Sequence, residues 1–298
     1  RSVVRSHFPL PFDWDFERFP IGREKEVMEL NDVINEQWID AKSLASIYSH
    51  AAPFPHIVIE NFIKEDLLKR VLLEFPDLSK FKDTVIHKYN NSREIKLAGK
   101  GMQVLSPAAL ELNTYLQSDL MMNWLKDLTS IEEPLISDPY LSGGGYHEIK
   151  TGGFLKVHAD FNKHPQLNLD RRLNLLIYLN ENWKDEWGGA LQLFDKNMEK
   201  AIQTIYPRFN TAVIFTTTSY TYHGHPDTLT CPENRSRKSL AYYYFSTGRP
   251  QNEISNKQHS TLFKERKGES FKDSVTFKSI IKEIIPPIFI KVVKRLLK

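Results

Sequence analysis

The sequence predicts an α+β chain with a mainly β core, a sandwich, jelly roll or barrel preceded by supporting helices. After about residue 134, seven short segments rich in branched and aromatic residues follow one another, separated by Gly, Asn and Pro. That is the pattern of many short strands. Before it, apolar residues recur at helical spacing in three stretches. No repeat of solenoid period occurs, and no apolar run approaches the roughly 18 to 20 residues that span a bilayer.

Composition narrows the class further. With 298 residues and 41% hydrophobic content, the chain can bury a core over one or two domains. Forty basic and 37 acidic side chains leave a formal charge of +3, so the charge balance gives no case for a nucleic-acid partner. The single cysteine, Cys231, excludes an intramolecular disulfide framework and a Cys-rich zinc site. It fits a reducing, cytoplasmic setting. The sequence opens on Arg1 rather than Met, which leaves room for an upstream segment, with any targeting signal, to have been removed.

Residues 1–22 (through FPLPFDWDFERFP) carry rings and prolines without a period and read as an extended packing segment. From Asn31 to about His50, Val33, Ile34, Trp38, Ile39, Leu44, Ile47 and Tyr48 recur as on a helix, ended by AAPFP. HIVIENF (56–62) alternates as a half-buried strand, and KEDLLKRVLLEF (64–75) returns to a helical period. Residues 82–105 are polar and fit neither period. Residues 107–130 open on Pro107 at a first helical position and continue with helix formers. The strands follow: GGGYHEI, GGFLKVHADF, RRLNLLIYLN, GGALQLFD, AIQTIYP, NTAVIFTTT and RKSLAYYYFS. The expected divisions are a mostly helical support region at 1–133, a β core at 134–248, and a polar loop with a basic tail at 249–298. In that tail Ile288, Val292 and Leu296 share one side, with Lys291, Lys294, Arg295 and Lys298 on the other. The helix suits packing on the core or contact with a membrane surface or partner, and is too short to span.

Chemistry concentrates in VHADF, where His158 and Asp160 lie two apart on a strand, so that a period of 2 gives both side chains one face. One imidazole and one carboxylate leave a divalent iron short of a third protein ligand, and a second imidazole would complete a facial triad. SYTYHGHPD offers His223 and His225. On a strand, Arg237 shares its face with Ser239, Ala241 and Tyr243, and a guanidinium with a hydroxyl two residues on suits a carboxylate. In LNLLIYLN, Asn174, Leu176, Tyr178 and Asn180 form a mixed face that suits a pocket wall, while Leu173, Leu175, Ile177 and Leu179 form a wholly apolar one. Gly188 and Gly189 read as a turn before a strand, and Gly143, Gly144 and Gly145 as a turn or lip, since neither run continues as a phosphate-binding loop.

Taken in order, GGFLKVHADF, LNLLIYLNENW, WGGALQLFD, IYPRFNTAVIF, and HGHP followed by RKSLAYYYFS resemble the prolyl-hydroxylase-like family of 2-oxoglutarate- and iron-dependent oxygenases, over residues of about 136–248. The resemblance implies a double-stranded β-helix, the cupin-like jelly roll. It implies iron(II) on His158, Asp160 and His223, the last as the first histidine of an H-G-x-P-like stretch after Phe215, with His225 as its rival. The distal carboxylate of 2-oxoglutarate would lie on Arg237, which is favoured over Arg235 by its strand position. Tyr178 would assist it, and Tyr146 and Leu191 are further candidates for the same pocket. By analogy with the family, Arg171, Arg172, Asn174, Trp187 and Tyr243 lie near the mouth, and His225 is a further substrate candidate. The implied activity is hydroxylation of an unactivated carbon in a peptide, small molecule or glycan, consuming dioxygen and 2-oxoglutarate, with ascorbate as an additional cofactor. No protein acid or base is called for. Two rival classes share such a fold: a non-catalytic jelly-roll binding module, and a metal hydrolase, which would have no use for the pair Arg237 and Tyr178.

Overall fold

A computed structural model describes residues 29–253 and 258–271. The extended segment expected over 1–22 and the basic C-terminal helix lie outside the described residues. Two short 3-10 turns, Leu30–Asp32 and Glu36–Trp38, precede α1 (Ala41–His50) where the sequence suggests one longer helix. The interruption has a cause. Ile34 bridges to Ile63, and the Asn35 side chain donates to the carbonyls of Asn61 and Ile63, which fixes this backbone outside a helix. Asp40 then caps α1 by accepting from Ser43 N–H.

β1 (His56–Glu60) and α2 (Glu65–Leu73) follow as expected. The polar stretch that fits neither period forms a hairpin, β2 (Ile86–Asn90) and β3 (Glu94–Gly99). Its turn uses no glycine; Asn91 Oδ1 accepts from the amides of Arg93 and Glu94 instead. The stretch 107–130 holds two helices, α3 (Pro107–Leu116) and α4 (Asp119–Thr129), each opened by a capping serine, Ser106 and Ser118. The remaining strands are β4 (Ile136–Ser137), β5 (Gly145–Lys150), β6 (Phe154–Ala159), β7 (Asp170–Tyr178), β8 (Leu191–Phe194), β9 (Ala201–Ile205), β10 (Thr211–Thr216), β11 (His223–His225), β12 (Ser236–Ser246) and β13 (Leu262–Phe263).

Among the described residues these strands pair antiparallel in the order β1-β10-β7-β12-β5-β3-β6-β11-β8-β9, with β2, β4 and β13 on the flanks. The sheet folds over on itself. Leu191, Leu193 and Ile205, near one end of that order, pack against Tyr178, Val213 and Phe215 near the other. This closure of short antiparallel strands is the jelly roll. Because β1, β2 and β3 belong to it, the region before residue 134 is not only a helical support: it supplies three strands, and β3 joins the two layers.

The apolar face of β7 looks outward onto the helices. Leu173, Leu175 and Ile177 share a cluster with Tyr48 of α1, Leu68 of α2, Leu112 of α3 and Leu125 of α4. Each fully buried leucine there contributes about 1.5–3 kcal/mol. The other face of β7 is left to line the interior, where the chemically active side chains gather.

Candidate metal centre

β6 ends at Ala159, so His158 is held in the ladder and Asp160 is the first polar residue beyond it. β11 crosses alongside, with His223 directly opposite His158. Nδ1 of His158 lies 2.8 Å from the Lys156 carbonyl and Nδ1 of His223 3.0 Å from that of Thr221. A carbonyl only accepts, so each Nδ1 carries the proton and each Nε2 keeps its lone pair. Those Nε2 atoms lie 3.6 and 3.4 Å from the two oxygens of Asp160. One ligand atom from each of the three residues lies within 4.8 Å of the others.

The electrostatics suit a cation. Burial, working against the pull of Asp160, lowers His223 to about 4, so its ring is neutral near pH 7. Burial alone would raise the carboxyl of Asp160, but Arg171 and the two imidazoles outweigh it and hold the group well below the usual carboxylate range. Two bare imidazole nitrogens and one carboxylate are the donor set of a facial-triad iron site, and the three side chains fit such an ion. Phe215 packs on the His223 ring at 4.8 Å and Phe263 on the His158 ring at 5.2 Å, both between ring centroids.

Asp160 is held from behind. Oδ2 accepts from Asn174 Nδ2 at 2.7 Å and from Arg171 Nη2 at 3.1 Å, while Arg171 also donates through Nε and Nη2 to Asn174 Oδ1. The guanidinium lies between two rings, 3.5 Å from the centroid of Tyr243 and 4.2 Å from that of Phe161. A bulge puts Arg171 there. The β12–β7 register slips between Tyr244, opposite Leu173, and Phe245, opposite Arg171, which turns Arg171 inward.

Deeper inside, Arg237 is 5% exposed. Its Nε donates to the Gly189 carbonyl at 2.7 Å and its Nη2 to the Tyr178 hydroxyl at 3.3 Å. Burial lowers the guanidinium and raises the Tyr178 phenol. Ser239 pairs in register with Tyr178 on one side and His147 on the other, so all three share the inner face. Gly189 does more than turn the chain: a Cβ there would meet Arg237 Cδ at 3.0 Å, and its φ is +72°. Leu191 packs against Tyr178.

The structure therefore brings His158, Asp160 and His223 together, and Arg237, Tyr178, Ser239 and Leu191 together. Other expectations need correction. Tyr146 faces away from the interior: it pairs with Leu240, packs on Phe75 at 4.3 Å between ring centroids and hydrogen-bonds Ser106 at 2.9 Å. Its neighbour His147 takes the inward place, where burial and then Lys96 lower it to about 3. Arg172 turns outward to Glu133, Ser246 and the Gly248 carbonyl, and lines a separate cavity of about 560 Å³. Trp187 packs edge-on against Trp183 and lies beneath the Arg235 guanidinium, not against any of the three candidate ligands. Arg235 itself donates to the Glu181 carbonyl, away from Tyr178. Arg171 and Asn174 are occupied with Asp160, and Tyr243 donates to the Gly143 carbonyl at 3.0 Å. His225 is inside the fold, and neither of its ring nitrogens has a hydrogen-bond partner there.

Two features near the site are not singled out by the sequence. His147 is one. The other is the segment 258–271, expected as loop or tail, in which β13 pairs with β6 and sets Phe263 opposite His158.

Known proteins resemble this chain in sequence and in fold. Residues 144–245 match the family described as the 2OG-Fe(II) oxygenase superfamily. The prolyl 3-hydroxylase OGFOD1 of Mus musculus is 25% identical, over 75% of this chain and 41% of its own length. The Xenopus laevis protein of the same name is 23% identical, over 74% and 41%. The chain thus spans about two fifths of the curated relatives it matches. Among solved structures, a prolyl hydroxylase from Trichoplax adhaerens, in complex with a hypoxia inducible factor oxygen degradation domain peptide fragment, superposes with a TM-score of 0.53 at 16% identity, covering 70% of this chain and 91% of that one. That likeness is one of fold.

Proposed function

We propose, from the match of residues 144–245 to the 2OG-Fe(II) oxygenase superfamily, that the chain is an oxygenase of the prolyl-hydroxylase-like kind and hydroxylates a prolyl residue of a polypeptide. The observation that carries the chemistry is the convergence of two proton-free Nε2 atoms and the Asp160 carboxylate, with Arg237 and Tyr178 deeper in the same interior. The prolyl 3-hydroxylase names of the curated relatives support the substrate class.

His158, Asp160 and His223 would hold iron(II), and Arg237 with Tyr178 and Ser239 would hold the distal carboxylate of 2-oxoglutarate. When bound, iron supplies dioxygen activation coupled to decarboxylation of 2-oxoglutarate to succinate and carbon dioxide, with one oxygen atom delivered to the substrate carbon. The chain's own residues orient and exclude. Arg171 and Asn174 fix the carboxylate of Asp160, the carbonyls of Lys156 and Thr221 fix the two imidazoles, and Phe215 and Phe263 pack against those rings. Leu191 and the apolar residues around Tyr178 keep water from the Arg237 end, where the guanidinium offers a two-pronged donor set. None of these residues has to move a proton for a hydrogen atom to leave carbon.

The test is turnover of a library of proline-containing peptides with iron(II) and 2-oxoglutarate, following succinate and a gain of one oxygen atom in the peptide. Stoichiometric succinate and oxidised prolyl peptide are expected. Succinate release with oxidation of a small molecule or glycan instead would contradict the prolyl assignment; a binding module of the same fold would release no succinate at all.

A further inference from the structure

We propose that His225 is a second hydrogen-bonding partner, beside Arg237, for the distal carboxylate of 2-oxoglutarate. The inference rests on the reading of the site just given and adds a residue to it. β11 is three residues long and all three are buried. Its register against β6 slips between His223, opposite His158, and His225, opposite Leu155. That slip re-aims the second imidazole while the first stays with Asp160. Between them, Gly224 is pressed onto β6, since a Cβ there would lie 2.9 Å from the Leu155 carbonyl oxygen and 3.0 Å from that of Lys156. The strand has no slack by which His225 could swing out to solvent.

The result is an imidazole 3% exposed with both nitrogens unpartnered. Buried polar groups are satisfied as a rule, and an orphan of this kind points to a ligand or a bound water. Its position names the ligand. His225 lines a cavity of about 130 Å³ together with Gly189, the residue whose carbonyl seats Arg237 Nε at 2.7 Å, and with Asp185 and Asp227, but it is Arg237 and not either aspartate whose charge acts on the ring. The fixed charges that act on His225 are those of Arg237 and Lys96. A buried, unpartnered imidazole that feels two fixed cations is suited to an anion and not to a further cation. One N–H from His225 would reach the carboxylate alongside the Arg237 fork, leaving the second ring nitrogen to accept.

The experiment measures equilibrium binding to the full chain loaded with manganese(II), without turnover. The probes are 2-oxoglutarate and 2-oxobutanoate, which keeps the keto-acid end and lacks the distal carboxylate. H225V is expected to weaken 2-oxoglutarate by about tenfold, the scale of one hydrogen bond to a charged group. Binding of 2-oxobutanoate and of manganese should stay as in the wild type, and H225Q, which keeps an amide donor, should recover most of the loss. Unchanged 2-oxoglutarate affinity in H225V would overturn the proposal and leave a water as the partner. Equal weakening of both keto acids would also overturn it, placing the effect on the neighbouring His223. Failure of the wild type to bind 2-oxoglutarate is a separate result and would remove the reading of the whole site.

Discussion

Asp160 Oδ2 and Arg171 Nη2 are 3.1 Å apart, and the same oxygen takes Asn174 Nδ2 at 2.7 Å, so one carboxylate oxygen is committed to the protein while the other faces His158. Removing the outer donors should therefore loosen a metal without removing a ligand. R171M and N174A are each expected to weaken manganese(II) binding by roughly 10- to 100-fold, the usual cost of losing such a partner. Competition with a chromophoric chelator measures it. Wild-type affinity in both variants would mean that Asp160 is positioned by the backbone alone.

Arg237 and Arg235 lie two residues apart and face opposite surroundings, one toward Tyr178 and one toward the Glu181 carbonyl and Trp187. R237A should raise the dissociation constant for 2-oxoglutarate by about two orders of magnitude, since truncating one side of a buried charged contact costs about 2–5 kcal/mol. R235A should leave it unchanged. The reverse ranking in a binding titration would move the anchor.

Gly189 gives a test of the seat itself. At φ +72°, with Arg237 Cδ 3.0 Å and Leu229 Cδ1 3.3 Å from where a Cβ would be, G189A must displace side chains as well as bear the strain. The strain alone is about 1–2 kcal/mol. Thermal unfolding should show a lowered midpoint, and 2-oxoglutarate affinity should fall while manganese affinity holds. An affinity for 2-oxoglutarate equal to the wild type would show that the Arg237–Gly189 contact is not needed.

The segment that brings Phe263 onto His158 is tied down through Glu269, which accepts from Arg266 at 2.8 and 3.0 Å and pairs with Lys156 at 3.2 Å. Hydrogen bonding from Arg266, opposed by burial and aided by Lys156, lowers its carboxyl from 4.5 to about 2. A depressed carboxylate stabilises the fold above its unfolded pKa and loses that contribution as the pH falls through the folded one. The gap in melting temperature between wild type and E269Q should therefore be constant above pH 4.5 and close as the pH falls toward 2. A gap that does not change over that range would contradict the tether.

Much of the site is legible in the sequence, and the rest is hidden for definite physical reasons. The two-residue spacing of His158 and Asp160 is enough to put them on one face, and the shared face of Arg237 and Ser239 follows from strand geometry alone, while Tyr178 joins them only through the family resemblance. Parity fails at bulges. The slip at Phe245 decides that Arg171 points inward and Arg172 outward, and nothing in RRLNLL announces it. The glycine-rich approach to β5 leaves the phase of that strand undefined, so Tyr146 and His147 are equal candidates by sequence and only the fold selects His147. The β2–β3 hairpin leaves no periodic signal because its residues are mostly half-exposed or exposed, which erases the apolar alternation. β13 is two residues long in a polar stretch, too short for any period to register.

The most direct test of the central claim is the metal stoichiometry of the ligand variants, measured anaerobically with iron(II). The wild type and H225V should each bind one ion, and H158A, D160A and H223A should each lose it, with succinate formation lost in the same three. Retention of a tightly bound ion by H223A, with its loss in H225V, would contradict the assignment of His158, Asp160 and His223 as the metal site.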